Sequence, residues 1–153
     1  MCSSDLEEFG GSWTALLLTS AFFGAAHLAN PGASWIAAVG IAFEAGAMLG
    51  AAYMLTRSLW LPIGIHAAWN FTQGEIFDIP VSGTKVHGFV LARLTGSPLL
   101  TGNGFGLEAS LIAIIVATLF GIGVLSLAIR NGQLMRPIWL RNRASPLPVE
   151  QTA

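Results

Sequence analysis

The segment 109–129 constrains the fold most, because it runs for 21 residues without a charged side chain. A helix rises about 1.5 Å per residue, so this length crosses the ~30 Å hydrocarbon core of a bilayer. Three further apolar segments precede it, at about 11–28, 34–56 and 59–71. In hydrocarbon, every backbone N–H and C=O group has to be bonded internally, which a helix achieves. The sequence therefore predicts an all-α fold, a polytopic transmembrane helix bundle with about four membrane segments.

The composition agrees with this class of protein. The chain is 54% hydrophobic and 10% charged, with a mean hydropathy of +0.67, whereas a typical soluble domain is about 25% charged. The formal net charge is −1 and no basic stripe is present. Nucleic acid is therefore excluded as an expected partner, and membrane lipid is expected instead. The single Cys2 excludes an internal disulfide framework.

Charge and composition divide the chain into a tail at 1–10, a core at 11–130 and a basic tail at 131–153. Four of the seven Lys and Arg residues lie from position 130 onwards. The positive-inside rule places such a tail in the cytoplasm, and its three prolines predict partial disorder after Leu140. At the other end, the run CSSDL at 2–6 is also the translation of a common sequencing adaptor. Two interpretations stay open for it, an artefact on a truncated reading frame or an ordinary polar tail.

Polar side chains inside the apolar segments indicate where a site lies. His27 follows Phe23 by four residues near the end of the first segment, and Asn70 follows His66 by four in the third. Positions four apart share one face of a helix. An ionisable side chain at membrane depth is by default a functional-site hypothesis. The structural alternative is that each of these groups bonds water, backbone or a neighbouring helix.

A metal site is a further possibility that the sequence leaves open. Two histidines and a carboxylate suit zinc, whose catalytic sites hold about three protein ligands and a water. His27 and His66 are the candidate ligands, and Glu44 is the one charge in the second segment. Glu44 could equally form a polar contact between helices. No HExxH pattern occurs, and His87, in the polar stretch that follows, is expected at the surface.

The two motifs FxxxH at Phe23–His27 and HxxxN at His66–Asn70 occur in this order within apolar segments. In this they resemble the CPBP intramembrane proteases, the CAAX-protease and bacteriocin-processing (Abi) family. The resemblance extends over about 11–130 and includes the stretches 46–50 and 101–108. It implies an intramembrane endopeptidase in a bacterial cell membrane. The implied substrate is a membrane-associated peptide or protein, and the implied cofactor is either none or a divalent metal such as zinc.

The resemblance also implies roles for single residues. His27 would activate the attacking water, and His66 with Asn70 would stabilise the oxyanion. This chain differs from the family in the first motif, EExxxR, because Glu7-Glu8 is followed by Ser12 at the position where the motif requires an arginine. We therefore interpret Glu7 and Glu8 as coincidental, and the chain as the C-terminal portion of such a protease, lacking the catalytic glutamate.

Two other classes of protein remain compatible with the same residues. A non-catalytic membrane scaffold or bacteriocin-immunity protein would use the polar face to bind a partner, and the missing EExxxR motif favours it. A metal-ion carrier would instead bind a metal ion, and this binding would depend on His27 and His66.

Overall fold

The structure is a computed structural model that describes residues 3–141. Their regular secondary structure is helical, and the described residues form no strand, only one isolated antiparallel bridge between Val81 and Thr84. The predicted all-α fold class is thereby confirmed. The helices are α1 (Ser3–Ala26), α2 (Trp35–Ile41), α3 (Ala47–Thr56), α4 (Trp60–Asn70), α5 (Pro98–Thr101), α6 (Leu111–Arg130) and α7 (Ile138–Arg141).

Two π-helical turns and two short 3₁₀ helices complete the secondary structure. The first π turn (Ala42–Gly46) joins α2 to α3, and the second π turn (Phe71–Ile76) continues α4. The 3₁₀ helices are His27–Ala29, directly after α1, and Leu107–Ala109, shortly before α6. A π turn widens the helix by one residue per turn and is frequent at functional sites.

Three helical stretches are long and apolar enough to cross a membrane: Asp5–Ala29, Trp35–Thr56 and Leu111–Arg130. They correspond to the first, second and fourth predicted segments. The third is the 11-residue helix α4, which at 1.5 Å per residue is about 16 Å long. Of the four predicted segments, three are thus long enough to span a membrane and one is a short helix. The short helix α4 ends at Asn70, because the chain continues as a π turn from Phe71.

Large apolar side chains cover the outside of this bundle. Leu17, Phe22, Trp35, Trp60 and Leu119 are each more than half exposed. A protein in water rarely exposes apolar patches of this extent, whereas hydrocarbon accepts them. The surface therefore agrees with the three long helices in describing a membrane protein.

The backbone of α1 packs closely against that of the second spanning stretch, Trp35–Thr56. A Cβ atom on Gly24 would lie 2.3 Å from the carbonyl oxygen of Ala38, and one on Gly46 would lie 2.8 Å from the Cα atom of Ser20. Small residues at helix contacts permit this approach in membranes. Gly24 and Gly46 thus let α1 lie close to the second spanning helix. On its other side the first π turn packs against α6, so it is held in the interior of the bundle.

The first helix differs from the sequence prediction at its start. It begins at Ser3 rather than at Gly11, where a φ of 79° introduces a kink. Beyond the kink, the Ser12 N–H donates to the Met135 carbonyl at 3.0 Å, and the Met135 N–H donates to Ser12 Oγ at 2.8 Å. The predicted N-terminal tail is thus helical from Ser3, and the chain after α6 docks on it. The predicted disorder beyond Leu140 concerns residues 142–153, which lie outside the described residues.

Candidate active site

One small internal cavity brings the predicted site residues together. His27, His66 and Asn70 line it, along with Glu44 and Glu108. Its volume is about 30 Å³, and a polar cavity of more than about 10–15 Å³ can hold a water molecule. These five residues come from the 3₁₀ helix after α1, the first π turn, α4 and the 3₁₀ helix before α6. The site is therefore built by packing between elements that are far apart in the sequence.

The proton position on His27 follows from its neighbour one helical turn earlier. Nδ1 of His27 lies 2.7 Å from the carbonyl oxygen of Phe23. A carbonyl oxygen only accepts, so Nδ1 carries the hydrogen and donates it. In the neutral imidazole this leaves Nε2 with the free lone pair. His27 is thus oriented as a base.

The Phe23 ring lies against both histidines. Its centroid is 4.8 Å from that of the His27 ring and 5.6 Å from that of the His66 ring, which it meets edge-on at 90°. Aromatic contacts of this geometry stabilise by about 0.5–1.5 kcal/mol beyond the area they bury. The FxxxH spacing therefore supplies both a hydrogen-bond acceptor and an apolar wall.

His66 and Asn70 form a hydrogen-bonded pair within α4. Nδ2 of Asn70 lies 3.1 Å from Nε2 of His66. Since an amide NH₂ group donates, Nε2 of His66 accepts, and its hydrogen is on Nδ1. The pair retains two N–H groups for other acceptors, the second one of Asn70 and Nδ1–H of His66. Such donors are what a developing oxyanion requires.

Glu44 is the carboxyl group whose position the sequence left open. It lies in the first π turn, is 2% exposed and lines the cavity. Its Oε2 atom has no hydrogen-bond partner among the described residues. A buried polar atom is usually bonded, to protein or to water. This oxygen is therefore available to a molecule in the cavity.

Glu108, the second buried carboxyl group at the cavity, has both oxygens occupied. Gln73 donates from Nε2 to Oε2 at 2.7 Å, and Ser82 donates to Oε1 from its N–H at 3.1 Å and from its hydroxyl at 3.3 Å. Gln73 belongs to the second π turn and also donates to the Pro80 carbonyl at 2.6 Å. Glu108 thus fastens the polar stretch after α4 onto the site. Its partners lie 35 and 26 residues away in the sequence and are brought to it by the fold.

A larger open pocket adjoins the cavity. It measures about 530 Å³ and shares His27, His66 and Asn70 with the inner cavity. Pockets of about 300–1,000 Å³ accommodate ligands of drug size or short peptide segments. Its remaining lining is mixed polar and apolar: Asn30, Phe71, Glu75, Val81, Ser82, Thr84 and Val86.

The residues at the cavity do not fit a zinc site as they are placed. Among residues 3–141 no group of three or more His, Cys, Asp or Glu side chains is arranged to hold a metal ion. Zinc in catalytic sites uses about three such ligands. Nε2 of His66 is engaged by Asn70, and Nδ1 of His27 by the Phe23 carbonyl. Ligation by both histidines through Nε2 would require the bond between His66 and Asn70 to break.

Glu7 lies elsewhere and has partners of its own. It is buried, accepts hydrogen bonds from the Ser12 hydroxyl and from Nη1 of Arg57, and does not line the cavity. Arg57 also donates to Oε1 of Gln133 at 3.2 Å. The pair therefore ties α1 to the end of α3. His87 is exposed, as expected from the sequence.

Three long apolar helices surround a small cavity. The cavity is lined by a free imidazole nitrogen, a His–Asn donor pair and a free carboxyl oxygen. These features define the class of polytopic membrane proteins with a polar site between their helices. Residues 2–72 match the family model of the type II CAAX prenyl endopeptidases, Rce1-like. Both histidine motifs lie inside this match, and the predicted resemblance to the CAAX proteases is confirmed over these residues. The family is one of proteases. No curated protein and no solved structure matches the chain.

Proposed function

We propose that this protein acts as an intramembrane endopeptidase of the CAAX-protease type, hydrolysing a peptide bond of a membrane-associated peptide or protein. The observation that carries this proposal is the meeting of His27 with the His66–Asn70 pair at one water-sized cavity. Peptide hydrolysis needs a base for water and donors for the oxyanion, and these residues supply both. The family match over both motifs supports the same chemistry.

In the proposed step, Nε2 of His27 takes a proton from a water molecule, and the water oxygen bonds to the carbonyl carbon of the scissile peptide. The π electron pair of the carbonyl moves to its oxygen, which receives hydrogen bonds from Nδ1–H of His66 and the second N–H of Asn70. The electron pair on that oxygen then re-forms the C=O bond as the C–N bond breaks. The C–N pair stays on the departing nitrogen, which takes the proton from His27, so that a carboxylic acid and an amine result. A positioned base contributes about 10²–10⁴-fold to the rate.

The cellular setting belongs to the same proposal. The family resemblance implies a bacterial cell membrane, and we propose that the C-terminus lies in the cytoplasm, because the last spanning helix ends at Arg130 and is followed by Arg136 and Arg141. The substrate would enter through the open pocket beside the cavity.

A second candidate function is a non-catalytic membrane scaffold or bacteriocin-immunity protein. The position of Glu7 favours it, since this residue is bound to Arg57 and Ser12 and is remote from the cavity. The described residues thus lack the glutamate of an EExxxR motif at the site. In that case the cavity and its open pocket would bind a partner without hydrolysis.

The test is cleavage of an internally quenched, lipid-anchored peptide by the purified chain in liposomes. We expect cleavage by the wild type and a loss of about 100-fold or more in His27→Ala and in His66→Ala. His87→Ala is the matched control, because His87 is exposed and lines neither the cavity nor the open pocket. Activity that survives His27→Ala contradicts the assigned role. A folded wild type that cleaves no such peptide favours the scaffold.

A further inference from the structure

We propose that Glu44 is a further catalytic residue, whose buried carboxyl group accepts a hydrogen bond from the attacking water in the cavity that it shares with His27. This inference rests on the proposed endopeptidase function and adds an acidic group to it. It starts from the carboxyl groups that the fold brings to the cavity.

The burial of Glu44 without a partner requires an explanation. Its side chain is 2% exposed, and it is the one charged residue in the spanning stretch Trp35–Thr56. Burying a polar group without a hydrogen bond is unfavourable, more so in a membrane helix. An apolar side chain at this position would pack without that cost. The unbonded Oε2 therefore indicates a polar molecule in the cavity, and the volume of about 30 Å³ suits water.

The backbone at Glu44 supports a functional role independently of its side chain. The residue lies at the centre of the first π turn, Ala42–Gly46, which interrupts an otherwise α-helical span. π turns within α-helices occur mostly as single bulges and frequently at functional sites. This one packs between α1 and α6, so the position of Glu44 is fixed by its surroundings. A carboxylate that orients a water needs such a rigid support.

Comparison with the other buried carboxyl groups selects Glu44. Glu108 shares the cavity, but its oxygens are taken by Gln73 and Ser82. Glu7 is bound to Arg57 and does not line the cavity. Of these three, Glu44 alone combines a place at the cavity with an oxygen free to accept a hydrogen bond.

In the proposed arrangement the water donates one hydrogen to Oε2 of Glu44 and gives the other, as a proton, to Nε2 of His27. The two acceptors fix the orientation of the water, so that a lone pair of its oxygen points at the carbonyl carbon. Glu44 keeps its hydrogen bond throughout and takes up no proton. The resulting hydroxyl group stays on the carbonyl carbon, and the proton on His27 goes to the departing amine.

The test is the isosteric substitution Glu44→Gln, which replaces one carboxyl oxygen by an NH₂ group. We expect kcat to fall by about 100-fold or more, as for a positioned group at the reacting atoms. We also expect little change in KM or in the thermal unfolding temperature. The matched control is Glu8→Gln, the same chemical change at an exposed position of α1. It should leave kcat and KM at the wild-type values.

A readout without substrate separates this inference from the proposed function. The chain has three histidines, so ¹⁵N-histidine spectra can be assigned with His27→Ala and His66→Ala. A water shared by Glu44 and His27 predicts that Glu44→Gln shifts the Nε2 resonance of His27, whereas Glu8→Gln does not. If Glu44→Gln retains wild-type kcat while His27→Ala is inactive, the inference is overturned and the endopeptidase function stands. If the wild type cleaves nothing, the endopeptidase function fails, and an unshifted Nε2 resonance overturns the shared water.

Discussion

Nδ1 of His27 donates a hydrogen bond to the carbonyl oxygen of Phe23 over 2.7 Å, one helical turn back along the chain. This carbonyl belongs to the last turn of α1, which ends at Ala26. The last carbonyls of a helix have no intrahelical partner, so one is available to a side chain. This hydrogen bond therefore fixes the tautomer of His27 and leaves its Nε2 atom with a free lone pair.

The ring of Phe23, as distinct from its carbonyl group, also positions the His27 imidazole. We expect Phe23→Leu to lower the free energy of unfolding by about 1 kcal/mol, since it removes aromatic contacts with His27 and His66. It should also lower kcat about tenfold, because the loss of one wall lets the imidazole tilt. The measurements are thermal unfolding and peptide cleavage in liposomes. Phe22→Leu is the matched control, as Phe22 is 77% exposed on the lipid side; equal effects of the two changes would contradict the role of Phe23.

Asn70→Asp tests the donor pair on α4. The change removes both N–H groups of the side chain, so Nε2 of His66 and the oxyanion each lose a donor. We expect kcat to fall by about 10²–10³-fold, the range for one oxyanion donor, with KM within a few-fold of wild type. Asn131→Asp, at an exposed position after α6, is the control. A variant that loses affinity but keeps kcat would make Asn70 a substrate-binding residue instead.

Arg57→Gln tests the structural assignment of Glu7. Removing the guanidinium leaves a buried carboxylate without its charged partner, and breaking a buried pair costs about 3–5 kcal/mol. We expect about 3 kcal/mol, at the lower end of that range, because the Arg57 side chain is 29% exposed. Unfolding in detergent measures the change, and Arg93→Gln at an exposed position is the control. Equal unfolding temperatures for the two variants would show that the pair does not stabilise the bundle.

Gly24→Ala tests the contact between α1 and the second spanning helix. The added Cβ would meet the Ala38 carbonyl oxygen at 2.3 Å, so the helices must separate. Overpacking of this kind costs about 1–3 kcal/mol. We also expect a lower kcat, because the movement shifts α1, and with it His27 directly after its end, away from the first π turn. Gly123→Ala is the matched control, since nothing lies within 4 Å of a Cβ atom there; it should unfold like the wild type.

The local part of the site could be predicted from spacing alone. Phe23 and His27, and likewise His66 and Asn70, are four residues apart within one helix, so the helical repeat makes each pair neighbours. The roles of Glu44 and Glu108 could not be predicted in this way. They are 64 positions apart in the sequence, and they meet at one cavity only because two π turns and the contacts between helices bring them there.

The sequence by itself determined the helical membrane class, three of the spanning segments and the two histidine motifs, because apolar length and i, i+4 spacing are properties of the chain. Only the tertiary structure decided that both motifs face one cavity, that Glu44 has a free oxygen there, and that Glu108 holds the following loop. It also decided that Glu7 pairs with Arg57, 50 residues away. Each of these depends on how closely helix backbones approach, and that distance is set by packing between segments rather than by the pattern within any one of them.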